Sequence, residues 1–269
     1  MRLTPMLATT TIAFLTTTAQ AQEVRLYAAG SLKAAVAELT TAYRASHGKM
    51  TFVTEFGASG LLRGRIETGE PAHVFASADT GHPQALADAG KTNGPPVIFA
   101  RNQLCALVKE GLSISADRFL DVLLDPAVRV GMSTPKADPS GDYAVALFAK
   151  ADVLRPGAKI ALETKSLQLT GGPTSEKAPD GRNLYAWVMS SGKADVFLTY
   201  CTNALVAKSE VPGLRMVAIP DALAVGADYG LVVLKGAPEA ANQFAGFLSS
   251  AEGQAILVRH GFGRGDELH

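Results

Sequence analysis

Short apolar runs alternate with segments of helical periodicity along this chain, and the alternation limits its possible folds more than its composition does. The runs "VRLYAA", "MTFVTEF", "HVFASAD", "VIFA", "LCALVK", "VRVGMS", "KIALETK", "DVFLTY", "RMVAIP" and "YGLVVL" read as strands. Between them, residues 32–46, 61–68, 82–89, 116–124, 143–150, 183–191, 239–247 and 252–260 carry apolar side chains at helical spacing. Strand and helix in turn predict an α/β fold whose mostly parallel sheets are covered by helices on both faces. So many strands crowd a single sheet, yet no flexible linker divides the chain into sequential domains. Two lobes joined by crossover strands satisfy both facts, with lobe I expected from 22–100 and 226–269 and lobe II from 101–225. A ligand then sits between the lobes, at the carboxyl ends of strands. The Gly/Pro/Ser-rich stretch at 170–181, "TGGPTSEKAPDG", reads as an exposed loop.

Residues 1–21 read as a cleaved secretory signal, with Arg2, an apolar and threonine-rich core, and the small-x-small end Ala19-Gln20-Ala21. A membrane anchor is disfavoured, because that core is short against the ~20 apolar residues of a bilayer span. The mature chain is then expected to begin near Gln22, in the periplasm. Without Arg2, its 24 Lys and Arg nearly balance 25 Asp and Glu, which argues against a nucleic-acid or anionic-membrane partner. In an oxidising compartment Cys105 and Cys201 form a candidate disulfide, with two buried free thiols as the alternative. A zinc site is disfavoured because no His pair accompanies them, and their separation in space is not set by sequence.

Three strand-to-helix turns place a serine beside a glycine. "YAAGSL" brings Ser31 after Gly30, "EFGASG" brings Ser59 after Gly57, and "ADPSGDYA" brings Ser140 before Gly141. Unpaired N–H groups at a helix start, backed by the helix dipole, bind anions without a cationic side chain. Each serine has the plainer alternative of capping only its own helix.

The segments "YAAGSLKAAVAEL", "FGASGLLRGRIETGEPAHVFASAD", "DPSGDYA", "GKADVFLTY" and "YGLVVLKGAPEAANQFAGFLSSAEGQAILVRHGF" together resemble the periplasmic molybdate-binding proteins that serve ABC importers. The likeness runs from Val24 to Phe262. It implies a two-lobed, non-enzymatic, monomeric receptor that closes on a tetrahedral oxyanion, molybdate or tungstate, and presents it to a membrane permease. Neutral hydrogen-bond donors hold the anion, with no metal ligands and no cofactor. By motif the ligand-binding positions fall on Ser31, Ser59, Ser140 and Tyr200, with a backbone donor on Arg182. Arg182 stands where the family usually has a small apolar residue, and Ser140 where alanine is common. A guanidinium at the cleft adds charge and size selection, whereas a purely backbone role leaves affinity indifferent to the side chain.

Binding proteins for sulfate, phosphate or a small organic anion use the same helix-start physics and remain alternatives. A secreted hydrolase is the competing class: His73, His82, Ser77 and Asp79 lie close in sequence. The nucleophile-elbow pattern G-x-S-x-G is absent, however, and no histidine pair has metal-binding spacing. Asp79 reads instead as a cap for the helix after it.

Overall fold

The computed structural model describes residues 22–48 and 50–266, so the segment read as a signal lies outside the described residues. The chain begins with β1 (Gln22–Ala29), α1 (Lys33–His47), β2 (Met50–Gly57), α2 (Ser59–Glu67), β3 (Val74–Ala76) and α3 (Gly81–Asp88). The long β4 (Val97–Val108) leads into α4 (Phe119–Leu124), β5 (Val130–Ser133), α5 (Pro139–Leu154), α6 (Ala158–Lys165) and β6 (Leu167–Thr170). Then come α7 (Leu184–Ser190), β7 (Val196–Tyr200), α8 (Cys201–Glu210) and β8 (Arg215–Ala218). Finally β9 (Gly226–Val233), α9 (Glu239–Leu248), α10 (Ala251–Arg259) and β10 (Gly263–Arg264) return to the first strands.

The α1 helix shows why such segments fold where they do. Ala35, Val36, Leu39, Thr40 and Tyr43 recur at helical spacing and are all buried, and Gly48, at φ 80°, ends the helix in a conformation that favours glycine. Tyr43 meets Phe244 and Phe247 of α9 edge-on, each with ring centroids 5.3 Å apart, which ties the returning chain to α1. Each large apolar side chain buried this way contributes about 1.5–3 kcal/mol.

The strands follow the order β2-β1-β3-β9-β4-β7-β5-β6. β4 belongs to both halves: residues 97–103 pair with β9, and residues 104–108 pair with β7, with β8 joining over 105–108. Among the described residues, parallel pairing is confined to β1/β2, β1/β3, β5/β6 and β5/β7. Among the described strands every antiparallel pair involves β4 or β9, because a chain that leaves a lobe on one strand and returns on another runs against its neighbours.

Two readings of the sequence are corrected. "VIFA" and "LCALVK" are one strand, since Arg101 and Asn102 stay extended between them: Arg101 pairs with Asp228 at 2.7 Å, and the amide of Asn102 donates to Thr202 at 2.9 Å. "KIALETK" lies in helix α6 instead of a strand. Ala158 and Leu162 are buried one turn apart while Ile160 is 72 % exposed, which is a helical pattern. The α8 helix, unforeseen from sequence, turns small residues inward (Ala204, Ala207) and leaves Leu205 and Val206 exposed, so its apolar stripe is faint.

Candidate functional site

A cavity of about 550 Å³ lies between the lobes, lined by the starts of α1, α2, α7 and α8 and by the loop from Gly171 to Asn183. Its walls already touch. The Gly60 N–H of α2 donates to Ala137 O in the β5–α5 loop at 2.9 Å, and the Tyr200 hydroxyl at the end of β7 donates to Ala78 O at 3.3 Å.

Of the residues expected to bind, Ser31, Ser59, Tyr200 and Arg182 line the cavity. Ser59 is 1 % exposed and its Oγ accepts the Ala78 N–H at 3.1 Å, which leaves its own proton free to donate. The backbone of Ala78, through its N–H and its C=O, therefore joins Ser59 of one lobe to Tyr200 of the other. Ser31 shares a 2.9 Å hydrogen bond with the hydroxyl of buried Tyr229, which also accepts from Asn102 at 3.3 Å. Burial drives the Tyr200 and Tyr229 phenols well above their usual range, so both stay protonated, and in this state the Tyr200 proton goes to Ala78 O.

Ser140 and Arg182 are placed differently from what the motifs suggested. The Ser140 N–H is taken by Asp138 Oδ1 at 3.0 Å, and its fully buried hydroxyl has no partner among the described residues and does not line the cavity. The Arg182 N–H donates to Pro179 O at 3.1 Å, closing a turn through Gly181 (φ 78°), and its guanidinium pairs with Glu210. The backbone N–H and the guanidinium of Arg182 are thus both engaged by the chain itself.

Capping separates the helix starts into two kinds. Asp138 caps α5, and Asn183 caps α7 by accepting the Tyr185 and Ala186 N–H groups at 3.0 Å. The turn at Gly30–Leu32 that opens α1, and the starts of α2 and α8, have no side-chain cap. Orphan N–H groups at a helix start need some partner. At α1, α2 and α8 the cavity, and whatever fills it, is available to supply one. Sequence reading had not singled out Asp138, Tyr229, Gly60 or the start of α8.

Cys201, the first residue of α8, is bridged to Cys105 of β4 with their Cα atoms 4.8 Å apart. Among the described residues no group of His, Cys, Asp and Glu is arranged to hold a metal. The hydrolase constellation does not assemble: the Ser77 hydroxyl donates to Asp79 at 2.7 Å with no imidazole between them, and His73 Nδ1 accepts the Arg25 N–H at 3.1 Å. Asp79 instead accepts the His82 N–H at 3.2 Å, at the start of α3.

Known proteins of this architecture share nearly the whole chain. Residues 24–263 match the pattern that defines the bacterial extracellular solute-binding proteins. An uncharacterized protein of Pasteurella multocida is 36 % identical over 242 residues, 89 % of this chain and 98 % of its own length. A molybdate-binding protein of Mycobacterium tuberculosis is 27 % identical over 246 residues, 91 % of this chain and 85 % of its own. The periplasmic molybdate-binding protein of Azotobacter vinelandii superposes with a TM-score of 0.70 at 20 % identity, over 89 % of this chain and 98 % of that one. With its two sheets, its crossover strands and a cleft between them, the chain belongs to the bacterial extracellular solute-binding protein family.

Proposed function

We propose that this protein is the periplasmic receptor of an ABC importer, that it captures an oxyanion in the cleft, with molybdate and tungstate the first candidates, and that it delivers the ligand to a membrane permease without transforming it. The carrying observation is the convergence of three uncapped helix starts, at α1, α2 and α8, on one cavity that also presents Ser59 and Tyr200. Burying a dianion is costly unless its oxygens meet donors, and these are neutral donors drawn from both lobes. A ligand matched only when the lobes meet shifts the population toward closure. The molybdate-binding relatives support the choice of ligand.

Thermal melts against molybdate, tungstate, sulfate and phosphate test the proposal. A true ligand at about 1,000 times its Kd stabilises by roughly 4 kcal/mol. For a chain of this size that raises the Tm by about 8–16 °C. Flat melts with all four anions, under conditions where an unrelated neutral solute shifts the curve, would overturn it.

Ser59→Ala and Arg182→Ala form a contrasting pair. Loss of a hydrogen bond to a charged ligand costs about 1.5–3 kcal/mol, so Ser59→Ala should weaken anion binding by roughly tenfold or more. Arg182 is occupied by Glu210 at the surface, so Arg182→Ala should change affinity by less than about threefold. Titration calorimetry of both variants checks this, and the reverse ranking would make the guanidinium a ligand contact.

A further inference from the structure

Asp138 is an acceptor in a cleft whose opposite wall donates. It lines the same cavity as Ser31, Ser59 and Tyr200. Two local features fix its position. Pro139 follows it at the start of α5, so its Oδ1 is drawn onto the Ser140 N–H. Across from it Gly171, at φ 76°, has no Cβ; one placed there would stand 2.5 Å from both Cβ and Oδ2 of Asp138. A side chain at residue 171 would expel the carboxyl, so the loop that walls the cavity is built to admit it.

A carboxylate at a helix start normally ionises easily, helped by the helix dipole and the N–H it accepts. Here burial outweighs that help and lifts the carboxyl to about 6, with the charges of Asp142 and Asp79 pushing the same way and the Ser140 N–H and Ser133 hydroxyl opposing them. At neutral pH it is still ionised, and therefore accepts only. Among the described residues no ion pair neutralises it: Arg182 is committed to Glu210, and Lys33 and Lys177 line the cavity as exposed side chains. A bare dianion in this cavity meets a fixed negative charge on its lobe II side.

The space points the same way. A tetrahedral oxyanion displaces on the order of 100 Å³, about three waters at ~30 Å³ each. The cavity holds about 550 Å³ although the lobes are already in contact. The remainder lies in the range of pockets that take small organic ligands.

We infer that Asp138 is a selector within the proposed anion site: the cleft favours an oxyanion that brings its own hydrogen-bond donor, an acid proton or a hydroxyl, over a fully deprotonated dianion of the same size. The oxyanion head sits against the uncapped starts of α1, α2 and α8, and the donor faces Asp138. Molybdate and tungstate, dianions without a donor, remain ligands of the site: they bind as the carboxyl takes up a proton, which supplies the missing hydrogen bond itself at a cost that grows with pH. This rests on the reading of the cleft as the solute site.

Asp138→Asn separates the two kinds of ligand by sign. Asparagine caps a helix as well as aspartate does, so α5 should survive the change. It removes the charge and adds an N–H donor. At pH 7.5 the variant should bind molybdate and sulfate about tenfold more tightly than the wild type, and bind hydrogen phosphate and glycerol 3-phosphate about tenfold more weakly. In the wild type, molybdate affinity should rise as the pH falls from 8 to 5.5, and in Asp138→Asn it should stay flat. The groups bearing on that profile are Asp142 of α5, Asp79 and His82 at the start of α3, Tyr185 of α7, Tyr200, Tyr229, and the cavity's Lys33, Glu176, Lys177 and Arg182. Burial keeps the tyrosines neutral over this range, lifts Asp142 as it lifts Asp138, and lowers His82, which faces Asp142. Calorimetry in which all four anions shift in the same direction, or none shifts, or the wild-type molybdate affinity is independent of pH, overturns the selector role while leaving the anion site standing. Absence of binding by any of the four to either protein overturns both.

Discussion

Gly60→Ala is expected to give a folded protein that binds its anion at least a hundredfold more weakly. A Cβ at Gly60 would lie 2.8 Å from Ala137 O and closer still to Lys136 O, and both are backbone atoms of the opposite lobe. Neither can rotate away as a side-chain tip would, so the strain falls on the contact between lobes. Within its own helix the change is mild or favourable, because alanine is preferred to glycine by up to about 1 kcal/mol. The Gly60 N–H would also be carried away from Ala137 O. If the closed form rises by about 3 kcal/mol relative to the open one, affinity falls by roughly 150-fold while ligand-free stability is unchanged or improved. Gly64→Ala supplies the control: it sits on the same helix with nothing within 4 Å of its missing Cβ, and should leave affinity unaltered. Calorimetry combined with small-angle scattering reads both effects. Wild-type affinity in Gly60→Ala, with compaction on adding anion, would show that closure does not pass through this contact.

That glycine illustrates what the sequence can and cannot disclose. The alternation of strands and helices, the lobed architecture and the turns around Ser31 and Ser59 are local patterns of periodicity and turn chemistry, and these are legible in one dimension. The contact between Gly60 and Ala137 joins residues of different lobes, and no local pattern announces it. The same holds for Ser31 with Tyr229, 198 residues apart, and for Arg182, whose partner Glu210 is 28 residues on. Ser140 is a different case. Asp-Pro just before a helix is a recognisable capping signature, by which the α5 start is satisfied by its own chain. Reading the serine as the donor put the ligand before the nearer competitor, a carboxylate two residues away. Continuity of β4 was obscured because polar Arg101, Asn102 and Gln103 interrupt the apolar run; they are held in the strand by pairing with β9 and by partners from distant segments.

Removing the disulfide, by Cys105→Ala with Cys201→Ala, should produce the largest loss of stability of any pair of substitutions considered for this chain. The two cysteines are 96 residues apart in sequence, and in the chain-entropy model a closed loop of that length restricts the unfolded ensemble by about 4.7 kcal/mol. In the native state little else depends on the bridge. Cys105 is paired in register with Thr199 of β7 and Ala218 of β8, so those strands remain joined by their backbone hydrogen bonds. The double variant should therefore fold, with a Tm lower by roughly 10–18 °C. The bridge also anchors the first residue of α8 to β4, immediately after Tyr200, so it holds one of the three uncapped helix starts against the cleft. Anion affinity in the variant should consequently fall, even at temperatures where the fold is intact, and the wild type treated with reductant should follow it in both respects. Melts of oxidised, reduced and double-alanine protein, each with and without ligand, separate the contributions. A Tm within about 3 °C of wild type would place the stabilisation elsewhere. A lowered Tm with unchanged affinity would mean that the β7–α8 junction keeps its geometry through Tyr200 packing alone, which meets Tyr143 and Tyr229 edge-on at 6.2 and 5.5 Å between ring centroids.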